Sequence, residues 1–263
     1  MHIEQMFDLK GQVAFVTGAA KGLGFAMSEI LAQAGATVVL SDVDPDALAS
    51  AIGRLTTMGF SADGEIVDVD ETQHLALRID EVALRYGRLD IVIANAGLSA
   101  GPGPLTETGS VTLIDHERWQ RLLNINLTSV MVTIKTAARH MIAKRYGRII
   151  VTASIAGMRG DPMCGYAYAA TKAGVINLVR QSAIELSKHD ITINAIAPGP
   201  FLTDIGNRRL HDPAVAAGFL DSVPLGRLGQ PGEIQGLALL LASPASSFMT
   251  GSVIPVDGGS TAF

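Results

Sequence analysis

Apolar residues in this chain form short compact runs that alternate with longer stretches of helical spacing. The compact runs, which lack strict polar alternation, are Val13–Thr17, Thr37–Ser41, Ile91–Ala94, Arg148–Thr152 and Ile191–Ile196. Strands that are covered by helices on both faces have this continuous apolar pattern. The stretches with helical spacing are 22–34, 45–58, 71–86, 115–144 and 168–188. The alternation predicts an α/β fold with a doubly wound, mainly parallel sheet of about seven strands flanked by helices.

The organisation along the chain indicates one domain over residues 1–263. No internal repeat, low-complexity tract or linker divides the sequence, and its length suits a single α/β domain. A Gly/Pro-rich piece at Ser99–Pro104 is short and predicts a surface loop. A second irregular piece, at about 200–230, contains three prolines. Its central part, about 203–225, is a candidate substrate lid.

Composition and charge exclude several classes of protein. Hydrophobic residues make up 48% and charged residues 17%, which excludes a disordered chain. The formal net charge is -5 and no stretch is dense in Lys or Arg, so we expect no nucleic-acid partner and no anionic membrane surface. The single Cys164 and six scattered histidines predict no metal site. No apolar run approaches the ~18 residues of a membrane span, and Met1–Lys10 lacks the apolar core of a signal peptide, so we expect a cytoplasmic protein.

A glycine-rich turn follows the first predicted strand. Thr17–Gly24 places glycines at 18, 22 and 24 between that strand and a helix, where the backbone and the free N–H groups of the helix can approach a pyrophosphate. Eighteen residues beyond Gly24, Asp42 ends the second apolar run, where a carboxylate can accept hydrogen bonds from an adenosine ribose. A plain turn and a capping aspartate are the alternatives. The strand before the turn and the helix after it favour a dinucleotide site.

Two side chains in a later helical stretch form a candidate acid/base pair. Tyr168 and Lys172 are four residues apart and share one helix face. A nearby ammonium favours the phenolate, and a phenol tuned toward neutrality can exchange a proton with an alcohol or ketone. Tyr166 is the rival phenol, but Ala170 stands at its i+4 position. Ser154, at the end of a strand-like run, offers a hydroxyl to a developing alkoxide or serves as a simple strand cap.

Taken together, these motifs resemble those of the short-chain dehydrogenase/reductase family in its compact single-domain form. The resemblance extends from Leu9 to Gly259, with Ala94 standing where the family usually has Asn. Asn126 matches the family's catalytic Asn, because its spacing from Trp119 fits better than that of Asn124. The matching residues and motifs are Thr17–Gly24, Asn95, Ala96, Gly97, Asn126, Ser154, Tyr168, Lys172, Pro198, Gly199, Thr203, Asp257, Gly258 and Gly259.

The resemblance implies a Rossmann-type sheet and a role for each matching residue. Tyr168 would be the general acid/base, and Ser154 would orient the substrate oxygen. Lys172 would bind the nicotinamide ribose and lower the pKa of Tyr168, and Asn126 would hold a water in a proton relay. The implied cofactor-binding residues are Gly18, Lys21, Gly22, Leu23, Gly24, Asp42, Asp68, Val69, Asn95, Ala96, Gly97, Tyr168, Lys172, Pro198, Gly199, Phe201 and Thr203.

Other features are compared with the same family. The interval from Gly97 to Trp119 is several residues longer than usual, so Ser99–Val111 is either an enlarged rim over the substrate cleft or a harmless insertion. Residues at family pocket positions are Arg159, Cys164, Tyr166 and Phe219. Related proteins are commonly tetramers, and a homotetramer is expected here. Its candidate interfaces are the apolar faces of 128–142 and 170–187 and the segments Leu237–Ala242 and Ser252–Val256.

The function that this resemblance favours is NAD-dependent interconversion of a secondary alcohol and its ketone. Asp42 favours NAD, whereas Lys21 favours an NADPH-dependent reductase such as a 3-oxoacyl reductase. A non-catalytic dinucleotide-binding sensor is a further alternative, which the intact tetrad disfavours. The substrate class stays open, with a preference for sugars, polyols or hydroxy acids because the motifs resemble gluconate dehydrogenase-like members.

Overall fold

The computed structural model describes residues 2–99, 101–203 and 209–262, without the side chains at 209, 213 and 214. A seven-stranded sheet in the order β3-β2-β1-β4-β5-β6-β7 forms its centre. Every neighbouring pair of strands is parallel. The strands are β1 Val13–Thr17, β2 Thr37–Asp42, β3 Ala62–Ile66, β4 Ile91–Ala94, β5 Gly147–Thr152, β6 Ile191–Pro198 and β7 Val253–Val256.

Helices connect the strands and cover the sheet. Short 3₁₀ turns at Glu107–Gly109 and Val111–Leu113 lie in the long connection after β4. The α-helices are α1 Ile3–Met6, α2 Gly22–Gln33, α3 Pro45–Thr57, α4 Thr72–Tyr86, α5 His116–Leu123, α6 Ser129–Lys144, α7 Tyr166–Leu186, α8 Pro213–Leu220 and α9 Gln235–Ala242.

The predicted doubly wound sheet is confirmed, and each of the five compact apolar runs is a strand. The apolar pattern is continuous because the sheet is buried on both faces. In β5, Ile149 and Val151 pack into one apolar layer while Ile150 packs into the opposite one. Side chains of α4, α6 and α7 fill the first layer, and side chains of α2, α3 and α9 fill the second.

Two strands lack the compact apolar signature because they lie at the edges of the sheet. The edge strand β3 carries polar Asp63 and Glu65, and the other edge strand, β7, contains Pro255. Charged side chains and proline are typical of edges, where they hinder pairing with another chain. In β3, Arg85 of α4 pairs with both carboxylates, at 2.7 Å and 2.6 Å.

The stretch 115–144 is not one uninterrupted α-helix. A π-helical turn at Asn124–Thr128 separates α5 from α6. Such turns insert one residue into the helix and often occur at functional sites. The turn carries Asn126, which is completely buried. The stretch with helical spacing is therefore helical from His116 to Lys144, but periodicity does not register the single residue that the π-helical turn inserts.

The candidate lid is only partly described, because residues 204–208 and some side chains beyond them lie outside the description. Within the described part, α8 is followed by a segment in which Val223 and Pro224 lie against Gly258 and Gly259. In the described ranges, no helix combines the length and hydrophobicity needed to cross a membrane.

Candidate active site

A cleft of about 990 Å³ lies at the carboxyl ends of the strands. The strand order reverses between β1 and β4, and ligands of open α/β sheets bind outside such a switch point. Almost all the predicted site residues line this cleft, and Asn126 is the exception. Those lining it are Gly18, Lys21, Gly22, Leu23, Gly24, Asp42, Asp68, Val69, Asn95, Ala96, Gly97, Ser154, Tyr168, Lys172, Pro198, Gly199, Phe201 and Thr203.

The glycine turn leaves no room for a side chain at its last glycine. A Cβ atom at Gly24 would lie 2.1 Å from the Gly18 carbonyl oxygen and 2.5 Å from Asn95 Nδ2. Gly18 and Gly22 adopt φ angles of 61° and 55°, in the left-handed region that favours glycine. The turn therefore brings bare backbone to the first turn of α2. This cradle fits the pyrophosphate of a dinucleotide.

Asn95 joins the ends of three strands beneath the cleft. Its Nδ2 donates to the carbonyl oxygens of Thr17 and Gly18, both at 3.0 Å, and its Oδ1 accepts from Thr152 Oγ1 at 3.1 Å. Thr17 Oγ1 in turn accepts from the backbone N–H groups of Asn95 and Ala96, both at 3.0 Å. Both amide hydrogens of Asn95 are thus held within the chain. Sequence reasoning missed Thr17 Oγ1 and Thr152 as members of this network, although both stand at strand ends.

Asp42 is held by backbone donors at the carboxyl end of β2. Its Oδ2 accepts from Ala20 N at 3.0 Å, and its Oδ1 accepts from Asp44 N at 3.2 Å. Lys21, the rival determinant, forms a 2.9 Å ion pair with Asp44. The backbone N–H of Ala47 and then the Lys21 ammonium hold the pKa of Asp44 below its usual range. Asp44, which sequence reasoning missed, therefore draws Lys21 toward α3.

Asn126 is clamped to the chain just beyond β4. Its Oδ1 accepts from Leu98 N and its Nδ2 donates to Leu98 O, both at 2.8 Å. A weaker contact of 3.5 Å joins its Nδ2 to Thr171 Oγ1. The side chain of Asn126 is thus occupied by protein groups, and the water that Asn126 would hold in a proton relay stays a prediction. Asn126 anchors the start of the long loop and braces the π-helical turn against α7.

Tyr168 and Lys172 lie one turn apart at the start of α7, as predicted. Lys172 is 4% exposed, and its Nζ donates to the Thr152 carbonyl oxygen at 2.7 Å. The same Nζ lies 5.8 Å from the centre of the Tyr168 ring. Ser154, which is buried, lines the same cleft and acts on Tyr168 so as to lower the pKa of its phenol. The end of β5 and the first turn of α7 therefore bring a hydroxyl, a phenol and an ammonium to one place.

Comparisons with known proteins agree with this arrangement. The family model described as enoyl-(acyl carrier protein) reductase matches residues 18–261. The 3-oxoacyl-[acyl-carrier-protein] reductase of Thermotoga maritima is 34% identical over 252 residues, covering 95% of this chain and 98% of the relative. The cis-4-hydroxycyclohexanecarboxylate dehydrogenase of Sinomonas cyclohexanicum is 38% identical over 253 residues, covering 95% and 97%. The chain belongs to the short-chain dehydrogenase/reductase family.

Solved structures extend the similarity to the whole fold of this short-chain dehydrogenase/reductase. The gluconate 5-dehydrogenase of Burkholderia cenocepacia, solved in complex with NADP and tartrate, superimposes with a TM-score of 0.90. The two chains are 34% identical and cover each other completely.

Burial has the largest effect on the pKa values of Tyr168 and Lys172 in this short-chain dehydrogenase/reductase. It raises the pKa of Tyr168 to about 12, against the lowering effect of the Ser154 hydrogen bond. Burial also lowers the pKa of Lys172 to about 8. Burial thus sets the direction of both shifts, and the expectation that Lys172 lowers the pKa of Tyr168 stays a prediction.

The substrate side of the cleft contains three of the four residues predicted there. Arg159, Cys164 and Phe219 line it, but Tyr166 does not. Tyr166 instead borders a separate small cavity of about 110 Å³, beneath the loop after β4. The prediction for Tyr166 was wrong because residues two apart on a helix point in widely different directions. With Tyr168 facing the cleft, Tyr166 cannot face it as well.

Proposed function

We propose that the protein is an NAD(H)-dependent oxidoreductase that interconverts a secondary alcohol and its ketone. The observation that carries the proposal is the convergence of Ser154, Tyr168 and Lys172 beside a dinucleotide cradle. The cofactor supplies hydride transfer, and the protein supplies position and proton transfer. Tyr168 is the general acid/base in this proposal, and Ser154 orients the reacting oxygen. Lys172 binds the nicotinamide ribose, and its charge opposes the effect of burial on the phenol.

The preference for NAD rests on Asp42. Two backbone N–H groups hold its carboxylate at the end of β2, where a ribose of the cofactor would offer its hydroxyls. The 2′-phosphate of NADP would bring a second anion to the same place. At an effective dielectric near 20, two unit charges about 4 Å apart repel by roughly 4 kcal/mol. Lys21 would attract that phosphate, but its ion pair with Asp44 competes for the ammonium.

The second candidate is an NADPH-dependent reductase of a 3-oxoacyl group or another ketone. Its support comes from relatives that are 3-oxoacyl-[acyl-carrier-protein] reductases and from similar structures solved with NADP. Against it stands the carboxylate of Asp42. A non-catalytic dinucleotide sensor is the third candidate, and the assembled tetrad disfavours it.

The substrate that we propose is a sugar, a polyol or a hydroxy acid. Two relatives act, by their names, on gluconate and on a hydroxycyclohexanecarboxylate, both hydroxy acids. The substrate side of the cleft offers polar groups of matching chemistry, including Ser99, Asp161 and Ser222. An apolar lining of Leu98, Met163 and Phe219 stands beside them, which suits a ring or carbon chain that carries hydroxyl groups.

We also propose a homotetramer. Large apolar side chains stay exposed on the predicted interfaces, including Met131 on α6 and Ile184 on α7, which is 74% exposed. Phe248, beyond α9, is completely exposed. Contiguous exposed apolar patches mark protein–protein contacts, and these side chains are the ones that subunit contacts would cover. Light scattering after size-exclusion chromatography measures the state, and a monomer of 27.5 kDa at micromolar concentration contradicts the proposal.

The deciding experiment is a screen of secondary alcohols, polyols and hydroxy acids with NAD and with NADP, and of the corresponding ketones with the reduced cofactors. We expect kcat/KM to favour NAD by about tenfold to a thousandfold. The preference should shrink by at least about tenfold in Asp42→Ala, since the repelling carboxylate is removed. Equal or better use of NADP by the unmodified enzyme establishes the second candidate. Cofactor binding without any turnover establishes the sensor.

Asp44→Asn is the matched control for Asp42→Ala. Asparagine keeps the hydrogen bond that Asp44 accepts from Ala47 N at the start of α3, at 3.0 Å, but it removes the charge that holds Lys21. If Asp42 is the determinant, the preference for NAD in this variant stays within about threefold of the unmodified value. A shift toward NADP as large as that of Asp42→Ala assigns the choice to Lys21 instead.

A further inference from the structure

The long loop after β4 touches the substrate side of the cleft through a glycine. We define loop 101–109 as the part from Gly101 to Gly109, and the substrate wall as residues 161–164, which line the cleft. A Cβ atom at Gly103 would lie 1.8 Å from the Pro162 carbonyl oxygen and 3.1 Å from the Met163 carbonyl carbon. Gly103 does not line the cleft itself. The substrate wall therefore lies between loop 101–109 and the space for substrate.

Loop 101–109 is internally tied, so it can serve as a support. Thr106 donates to the Gly103 carbonyl oxygen from its backbone N–H at 3.2 Å and from its Oγ1 at 2.9 Å. The backbone N–H of Gly109 donates to the Thr106 carbonyl oxygen at 3.1 Å. A Cβ atom at Gly109 would lie 2.0 Å from the Gly103 carbonyl oxygen. Two close backbone approaches thus stack Gly109 on Gly103 and Gly103 on Pro162.

The substrate wall is a compact turn that faces the catalytic phenol. Asp161 Oδ1 accepts from Met163 N at 2.8 Å, and the Asp161 carbonyl accepts from Cys164 N at 3.3 Å. Asp161, Cys164 and Tyr168 line the same cleft, and Cys164 and Asp161 both raise the pKa of Tyr168. On its other side, Met163 Cε lies 3.3 Å from the Cβ position of Gly218 in α8. A displacement of this turn would change the space beside Tyr168 and the contact between Met163 and α8.

We propose that loop 101–109 is a specificity element, in which Gly103 is a positioning residue that sets the distance between the substrate wall and Tyr168. The inference rests on the proposed oxidoreductase function and assigns a role to the insertion. A side chain at 103 pushes Pro162 toward the cleft, because the loop is tied behind it. The cleft then narrows beside the substrate wall, while the phosphate cradle and Asp42 stay unchanged. The wall thus selects secondary alcohols by the size of one substituent.

The test compares Gly103→Ala with Leu105→Ala. Leu105 belongs to the same loop but is 84% exposed, so its truncation alters the loop without touching the wall. The probes are the smallest and the largest secondary alcohol that the unmodified enzyme oxidises in the screen. We expect Gly103→Ala to lower kcat/KM for the large alcohol by about tenfold or more, mainly through KM. The small alcohol should change by less than about threefold, and Leu105→Ala should change neither.

Two further readouts separate a positioning role from general damage. The dissociation constant of NADH, from its fluorescence, should stay within about twofold in Gly103→Ala, since the cradle does not touch the loop. Hydrogen exchange of the amides at 161–165 should change in Gly103→Ala and not in Leu105→Ala. If the unmodified enzyme oxidises no alcohol, the proposed function fails, and exchange at 161–165 still decides whether the loop holds the wall.

A second variant covers the case in which Gly103→Ala does not fold. Thr106→Val removes the hydroxyl bond to the Gly103 carbonyl and adds no bulk to the contact. A more loosely held loop should discriminate less between the two alcohols. The ratio of kcat/KM for the large alcohol to that for the small one should therefore rise by about twofold to fivefold, whereas it falls in Gly103→Ala. Equal losses for both alcohols, or unchanged ratios in both variants, overturn the proposal.

Discussion

The two sides of the cleft are built in different ways. On the cofactor side, the groups that matter stand at the ends of central strands and are held by backbone hydrogen bonds. Asp42 accepts from two N–H groups, and Asn95 ties β1 to β5. On the substrate side, loop 101–109 and the substrate wall are irregular segments that meet through a backbone contact at Gly103. The ends of strands position the groups on the cofactor side, whereas a long-range contact between two loops positions those on the substrate side.

This difference separates what is common to the family from what is individual to the chain. The pyrophosphate of a dinucleotide requires the same close backbone approach in every member, so glycines recur at predictable places. A substrate pocket has no such requirement, because the same fold supports many activities through changes in its loops. Substitutions on the cofactor side should therefore affect every substrate equally, and substitutions on the substrate side should discriminate.

The largest expected effect lies where the two sides meet, at Tyr168. Tyr168→Phe removes the proton donor and should lower kcat by about 100- to 10,000-fold with every substrate. Cofactor affinity should persist, because the ring remains. Steady-state rates and NADH titration measure both. Tyr166→Phe, outside the cleft, is the control and should keep most of its activity. The reverse outcome would show that the catalytic phenol has been misassigned.

The next largest effect tests the cofactor side alone. In Gly24→Ala, the new methyl group meets the Gly18 carbonyl oxygen and the Asn95 amide, so the cradle must open. We expect NADH to bind at least about tenfold more weakly, and kcat/KM to fall by the same factor for large and small alcohols. Gly53→Ala in α3 is the control, because its Cβ position meets no atom within 4 Å. Normal NADH affinity in Gly24→Ala would contradict the tight cradle.

A smaller effect concerns the lid, which belongs to the substrate side. Phe219 of α8 lines the cleft, and Val223 and Pro224 rest against the glycines at 258 and 259. We propose that the segment about 203–225 closes over substrate and excludes water. Hydrogen exchange at 209–225 should slow by about threefold to tenfold with NADH and a ketone product together, but not with NADH alone. Exchange unchanged by both ligands indicates a fixed surface element. Strand β5 serves as the internal reference.

The smallest effect is on stability and concerns Lys172. Burial lowers its pKa to about 8, so below that pH the folded chain carries a charge that it disfavours. Between about pH 8 and 10.5 the unfolded chain keeps a proton that the folded chain has lost, and stability rises with pH. Lys172→Met should therefore raise Tm by about 4–8 °C at pH 7, after allowing for the lost bond to Thr152.

The pH dependence of the rise in Tm shows whether the buried charge of Lys172 is its cause. The difference in Tm should shrink as the pH rises from 8 toward 10.5, because the unmodified chain then loses the disfavoured charge. Lys135→Met, at an exposed position of α6, is the control and should show no such trend. Thermal unfolding at pH 7 and pH 10 measures both variants. A lower Tm for Lys172→Met at pH 7 would show that its bond to Thr152 outweighs its burial.

The amino-acid sequence by itself determined the central strands of the sheet, the glycine-rich turn and the shared helix face of Tyr168 and Lys172. Each of these features depends on residues that are close together in the chain. A continuous apolar run indicates a strand that is buried on both faces. Tyr168 and Lys172 share a helix face because they are four residues apart. Gly18, Gly22 and Gly24 report backbone that a side chain would disturb. The apolar pattern did not predict the edge strands β3 and β7, because a strand at the edge of the sheet is less buried than a central strand.

Only the tertiary structure decided how these groups are held. It clamps Asn126 to Leu98, pairs Lys21 with Asp44 and turns Tyr166 away from the cleft. It also buries Tyr168 and Lys172 so strongly that desolvation sets the pKa of both. The backbone contact between Gly103 and Pro162 joins residues that are 59 positions apart in the chain. Spacing along a chain encodes neighbours within one helix or turn, whereas burial and contacts between loops arise only when the sheet brings distant segments together.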